Sequence, residues 1–364
     1  MSQRPCPYPK DRLDPALVTG LVLCGMGGPD GPGAVEPFLL NLFSDPMIFP
    51  LKPPFGPLLG RFIAKVRTPA VRRRYLAISP DGCTPQLDTT RRQAEDLARR
   101  LSGLGLPAVP GMAMRYWHPY PEATFTDLES KGAQQYLILP MYPQYSCATN
   151  GATLGFVLDG LQAIAPGKPV HVVPEWHLQP GFLAALAEPV IATLSAWADE
   201  GADPAACALL YAAHSLPQKM IDGGDPYLQQ TSATVDAVQA LVRTRLTAVG
   251  HGDWLAALPG GAAPQLAFQS RVGPIKWLGP EIVGEVKRLA AAGCRRLHVQ
   301  PVSFTCEHIE TLMELDIELR EDAHKAGIAH YQRGAALNLD ETWLRSLAME
   351  LADRAFGPEV PAHA

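Results

Sequence analysis

Residues 206–215 read ACALLYAAHS, an unbroken apolar run that stops at an imidazole, His214. A run of this length without polar alternation suits a strand buried on both faces, the condition of strands in a parallel sheet. Similar runs recur along the chain: LVTGLVLCG (17–25), PAVPGMAMRY (107–116), QYLILPMY (135–142), KPVHVVPEW (168–176), QLAFQSRVG (265–273) and RRLHVQPVSF (295–304). Between them lie stretches with a helical period, such as TTRRQAEDLARRLSGLG (89–105), FLAALAEPVIATLSAWADE (182–200) and TSATVDAVQALVRTRL (231–246). Repeated strand then helix predicts an α/β protein with doubly wound parallel sheets. One set of strands precedes about residue 165 and one follows it, so two similar α/β halves with a cleft between them are expected.

The bulk composition removes several classes of function. The chain has 364 residues, 47% of them hydrophobic and 18% charged, with a net charge of −5. That is ample for a large core, and mixed charge of this kind gives no basic footprint for nucleic acid. The N-terminal MSQRPCPYPKDRLDP is polar and Pro-rich, and no stretch approaches about 18 consecutive apolar residues, so a soluble, cytoplasmic chain is expected. Seven cysteines (Cys6, Cys24, Cys83, Cys147, Cys207, Cys294, Cys306) are scattered without a C-x-x-C pair, which suits reduced thiols and argues against a zinc ribbon or disulfide scaffold.

The turn after the first run, Gly25-Met26-Gly27-Gly28-Pro29-Asp30-Gly31, lacks G-x-G-x-x-G and Gly-Lys-Ser/Thr, and Pro29 removes an N–H that a phosphate loop would use. A tight turn presenting Met26 is the better reading.

His214 ends its strand, and an imidazole at the carboxyl end of a parallel strand points into the crevice where α/β folds bind ligands. The plainer account is a histidine hydrogen-bonded at a strand end. Downstream, the strand in RRLHVQPVSFTCEHIETLMELDIELRED runs into a helix carrying Glu307, Glu310, Glu314 and Glu318. Spacings of three and four place these carboxylates on one helical face, where like charges repel, so a cation is expected there; a solvated acidic face is the alternative. Imidazole and carboxylate suit Fe2+ and similar ions, and a site that must release its ion should use few ligands, which makes His214 with Glu310 a minimal metal pair. His214 is also a base near neutral pH. His308, two residues from Glu310, should face elsewhere on such a helix.

Aromatic and cationic residues complete the set: Arg67 and Tyr75 in AKVRTPAVRRRYLAISP, Arg115 and Tyr116, Tyr142 and Tyr145 in MYPQYSCATNG, and Trp277 after RVGPIK. Such a mixture suits a large flat ligand with carboxylates, although each residue singly also suits ordinary packing.

The chain resembles ferrochelatases over about residues 17–350. The resemblance rests on six blocks in the family's order: LVLCGMGGPDGPGAVEPFLLNLFSDPMI, AMRYWHPYPEATF, YPQYSCATNGATL, AAHSLP with GDPYLQQTSATV, FQSRVGPIKWLGP, and PVSFTCEHIETLMELDIEL. It implies a chelatase fold of two flavodoxin-like halves: 1–16 an N-terminal extension, 17–165 and 166–330 the halves, and 331–364 a helix and tail returning to the first. It also implies a metal-chelating lyase of heme biosynthesis that inserts ferrous iron into a porphyrin held between the halves. His214 and Glu310 match the family's catalytic pair, and Glu314 a deeper acid on the metal or proton path, with His308 beside it. Arg67, Tyr75 and Thr84 would hold the porphyrin edge and propionates, Met26 would cover one face, and Leu39, Leu42 and Phe43 would form an apolar lip; Arg115 and Trp277, from the aromatic and cationic set above, are expected to bind the same porphyrin.

Three departures are visible. Ser79-Pro80-Asp81-Gly82-Cys83 lengthens the turn before Thr84, Glu307 stands where the family usually has Asp, and EIVGEV after WLGP lacks the usual Thr-Asp. Cys147 lies where some members place an iron-sulfur ligand, but four thiolates are not in view, so no cluster is expected. Met26 resembles the branch using protoporphyrin; coproporphyrin is the alternative substrate, and a cobalt or nickel chelatase and a tetrapyrrole carrier are rival classes. Peripheral contact with a membrane supplying the apolar substrate is compatible with this reading, without an evident amphipathic anchor. The sequence leaves the oligomeric state open.

Overall fold

The computed structural model describes residues 8–45, 55–260, 263–271 and 273–357; Cys6, the first part of the expected N-terminal extension and the end of the expected tail lie outside them. β1 (Thr19–Gly25), β2 (Ala108–Met114), β3 (Gln135–Pro140) and β4 (Val170–Val172) form a parallel sheet in the order β2-β1-β3-β4. β5 (Cys207–His214), β6 (Leu266–Gln269), β7 (Arg296–Pro301) and β8 (His330–Arg333) repeat that order as β6-β5-β7-β8, again all parallel. Each sheet thus follows the flavodoxin order over four strands.

All seven apolar runs contain a strand. β1 and β3 are buried along their whole length and β5 along all but His214, as strands covered by helices on both faces must be. Val22, Cys24 and Ile138 pack with Phe125 and Leu154 from flanking helices, and Leu210, Ala212, Leu297 and Val299 pack with Val286 and Leu315. β8 escapes a search for apolar runs because it is a polar edge strand, HYQR, with one buried side chain, Tyr331.

The chain divides into two compact units after Trp176 and again after Trp343. These points differ from 165 and 330 because strand pairing decides them. β4 pairs with β3, which keeps residues 166–176 in the first unit, and β8 pairs with β7, which keeps 331–343 in the second. The last helix, Glu341–Phe356, contributes Leu344 onward to the first unit. Residues 8–16 are no loose extension: Lys10 bridges His171, Asp11 N–H donates to Val170 O at 3.1 Å, and buried Leu13 donates to Ala355 O at 2.8 Å.

Helix starts follow their capping chemistry. Pro85–Gly103 begins with proline behind a Thr84 side-chain cap, and Pro180–Asp199 with proline behind Gln179. The helix Pro180–Asp199 is apolar and long enough to cross a membrane by composition, with half of that window buried. Phe182, Leu186, Val190, Leu194 and Trp197 are its buried face, which packs on the helix Tyr227–Ala248 as a core helix does.

In each sheet the first strand has later strands on both sides. That is the topological switch point, outside whose carboxyl ends ligands bind in open α/β sheets. It falls at Gly25 and Met26 in the first unit and at His214 in the second.

Candidate active site

His214 is the only residue of β5 that is not fully buried, so the strand delivers one partly exposed imidazole from an apolar interior. Its Nδ1 lies 2.6 Å from the carbonyl of Ser215. A carbonyl only accepts, so Nδ1 carries the proton and Nε2 keeps a lone pair. The residues after His214 are sewn to a second segment: Gln218 N–H donates to Lys276 O (2.9 Å), Leu278 N–H to Leu216 O (2.8 Å) and Ser215 Oγ to Leu278 O (2.9 Å). Trp277, bridged to Pro217, is thereby held close in space to the exit of β5.

The acidic stretch is a helix, but of another kind than the spacing predicts. Glu310–Leu319 is a ten-residue π-helix. Its i→i+5 pattern is rare and frequently marks functional sites. Glu307 precedes it and does not join the acidic row. Its carboxylate accepts from Thr311 Oγ1, from Arg333 at 2.9 Å and from Ala336 N–H at 3.0 Å. Because Glu310 opens the helix and His308 lies just outside it, the two do not diverge as helical neighbours would. His308 Nδ1 sits 3.1 Å from Glu310 Oε2. Burial pulls the His308 pKa below its ordinary value; Glu310 and Glu307 pull it up, and nearby His214 adds to the lowering. His308 thus faces Glu310, where the helical spacing predicts that the two diverge.

Glu314 is held by two donors from the end of β6: Gln269 Nε2 at 3.1 Å and Ser270 Oγ. Gln269 Nε2 also donates to the Glu310 carbonyl at 2.8 Å. Ser270 adopts φ 66°, the left-handed region that L-residues avoid, and in that conformation its hydroxyl meets Glu314.

The remaining expected residues belong to the first unit. Met26 follows β1 in a tight turn: Gly27 has φ 77°, and a Cβ there would lie 2.9 Å from Met114 Cβ. Arg67 stacks over Phe43 at 5.5 Å, and Tyr75 is buried in the helix Phe55–Ile78. Thr84 is buried and caps a helix, accepting from Gln86 N–H, so its hydroxyl already has a structural partner. Arg115 pairs with Asp45 at 2.7 Å, which also accepts from Tyr116, so its guanidinium is already engaged by protein. Leu39 and Phe43 are buried, unlike residues of an exposed lip, and Leu42 is half-buried.

Sequence reasoning missed Gln269, Ser270 and Arg333. The first two stand inside the quoted block FQSRVGPIKWLGP, where a polar pair ending an apolar strand is a usable signal. Arg333 lies in a strand with no apolar pattern.

Residues 18–354 match the sequence profile of the ferrochelatase family. A ferrochelatase of Gloeobacter violaceus is 38% identical over 90% of this chain and 95% of its own length. Ferrochelatases of Nostoc punctiforme (37% identical, 93% of this chain, 83% of that one) and Geotalea uraniireducens (37%, 91% and 96%) are similar to it as well. A sirohydrochlorin chelatase of Bacillus subtilis subspecies spizizenii, solved with cobalt, aligns at a TM-score of 0.44 and 10% identity over 74% of this chain and 92% of its own. The profile match and the relatives together establish that the chain belongs to the ferrochelatase family.

Proposed function

We propose that the chain inserts Fe2+ into protoporphyrin IX, forming protoheme and releasing two protons, with His214 as the base. The observation that carries this reading is the hydrogen bond from His214 Nδ1 to Ser215 O, which leaves Nε2 free to accept. A pyrrole N–H gives its proton to that lone pair, and the nitrogen keeps the electron pair with which it binds iron. Glu310 and Glu314 add carboxylate oxygens, suited both to a ferrous ion and to departing protons. Met26 supports protoporphyrin over coproporphyrin. The test is porphyrin absorbance under anaerobic conditions on adding Fe2+. His214→Ala and Glu310→Ala should each abolish most turnover, and near-wild-type turnover in both would overturn the assignment. A competition between the two porphyrins should favour protoporphyrin.

A second part of the proposal is peripheral contact with an anionic membrane. The helix Phe55–Ile78 exposes Leu58 (61%), Phe62 (66%) and Val66 (61%), one turn apart. It carries Arg61, Lys65, Arg67, Arg72, Arg73 and Arg74 and no acidic residue. An apolar stripe with a cationic flank is the pattern of a helix lying in a lipid interface. Cosedimentation with phosphatidylglycerol vesicles should fall in Phe62→Asp; equal binding of the variant would refute the contact.

A further inference from the structure

His214 is fixed by its peptide groups as well as by its ring. Along the β5–β7 pairing, Val302 N–H donates to Ala212 O at 2.9 Å, as a parallel ladder requires. At the next position a side chain replaces the backbone: His214 N–H points to Ser303 Oγ at 3.3 Å. The His214 carbonyl accepts from the hydroxyl of Tyr227 at 2.9 Å. Tyr227 Oη and Ser303 Oγ are themselves 3.2 Å apart.

One assignment of protons satisfies all three contacts. The phenolic proton of Tyr227 goes to the His214 carbonyl, so Tyr227 Oη is left to accept from Ser303, whose oxygen in turn accepts from His214 N–H. The result is a closed ring of three hydrogen bonds around one residue. Tyr227 and Ser303 are both buried, which keeps water from competing with either hydroxyl. Tyr227 is placed by the turn before its helix: Gly224 has φ 93°, and Asp225 Oδ1 accepts Tyr227 N–H at 3.0 Å, so the helix Tyr227–Ala248 starts with the phenol aimed at β5.

We infer that Tyr227 and Ser303 are positioning residues for the base, locking both peptide groups of His214 so that its imidazole holds one attitude at the strand end. Neither hydroxyl is assigned to substrate. The inference rests on the assignment of His214 as base in iron insertion.

The consequence is specific to a ring. Opening it at either hydroxyl frees the same residue, so the second opening adds little, whereas two independent structural contacts would lose activity multiplicatively. In the full chain, Tyr227→Phe and Ser303→Ala should each lower kcat about five- to tenfold, the scale of one net hydrogen bond, with KM for the porphyrin unchanged. The double variant should fall no further than the lower single. A double variant whose loss equals the product of the singles, or a Tyr227→Phe enzyme with wild-type kcat, would overturn the inference. Wild-type protein without iron insertion would instead sink the functional assignment, and amide exchange would then decide the ring. The His214 N–H should exchange faster in both single variants, and unchanged protection in Tyr227→Phe would refute it.

Discussion

Arg333 Nη1 lies 2.9 Å from Glu307 Oε1, and Arg333 Nη2 lies 2.7 Å from Asp316 Oδ2, so one guanidinium on β8 holds a carboxylate before the π-helix and another within it. Its side chain is 8% exposed. Burial pulls its pKa down, but Asp316 and Glu307 outweigh that and raise it, so it is a fixed positive charge. Removing it leaves the partly buried Glu307 carboxylate without a cation and Asp316 with only the more distant Arg320, at 3.4 Å. Arg333→Met should lower stability by about 3 kcal/mol in urea unfolding, with Arg333→Lys between it and wild type because an ammonium cannot pair in two directions with a planar fork. Glu307 is occupied, so Glu307→Gln should keep iron insertion within about threefold of wild type, while Glu310→Gln should lose about tenfold or more. Equal losses would put Glu307 back in the acidic row.

Ser270 separates stability from function in a single side chain. Its φ of 66° is strained for an L-residue, yet that conformation directs its hydroxyl to Glu314. Alanine keeps the strain and loses the bond; glycine relieves the strain and loses the same bond. Ser270→Gly should therefore be more stable than Ser270→Ala by about 1 kcal/mol, while the two insert iron at equally reduced rates. A glycine variant that melts below the alanine variant would show that the backbone is not strained there.

The parts of this molecule legible in the sequence are those written as uninterrupted apolar runs. β1, β3 and β5 carry their burial in every residue, and His214 stands out because it breaks the run at its end. β8 was not legible, since an edge strand buries one side chain in four, and with it went Arg333 and the second unit's true end. Spacing placed Glu310 and Glu314 together, but it could not tell α from π winding. Identical i, i+4 spacings fit both, and two carbonyls of this helix take donors from outside it, Glu310 from Gln269 and Leu315 from Tyr331. The engagement of Arg115 by Asp45 and of Thr84 by the Gln86 amide depends on tertiary and local geometry that residue spacing does not carry. Leu58, Phe62 and Val66 stand four apart in the sequence, but their exposure is a matter of which face of Phe55–Ile78 packs on the protein.

The turn after β1 makes a paired prediction. A Cβ on Gly28 would lie 2.7 Å from Thr84 Cγ2 and 3.1 Å from its Cβ, so Gly28→Ala forces the Thr84 cap to move. Serine in place of threonine removes the Cγ2 and keeps the capping hydroxyl. Gly28→Ala should cost about 1–3 kcal/mol, and Thr84→Ser should restore most of it, while Thr84→Ser alone stays near wild type. Thermal unfolding of the four proteins closes the cycle; additive effects would mean that the two side chains do not compete for the same space.

His298 gives the pH dependence its sign. It is wholly buried on β7, with Nε2 3.4 Å from Gln300 Oε1 and Nδ1 without a partner among the described residues. Burial pushes its pKa from 6.5 down to about 4, with the Gln300 contact acting weakly the other way. The folded protein thus keeps this imidazole neutral while the unfolded chain protonates it near its ordinary value. Above about pH 6.5 both states are neutral and His298 imposes no pH dependence. As pH falls below 6.5 the unfolded state binds a proton that the folded state refuses, so stability drops, by about 3 kcal/mol by pH 4, where the folded state begins to take the proton as well. His298→Gln removes the titrating group, so its urea-unfolding free energy should fall less steeply than wild type between pH 6.5 and 4, whatever its stability at pH 7. Carboxylates titrating in the same interval affect both proteins alike and cancel in the difference. Parallel curves would mean that His298 reaches solvent when protonated.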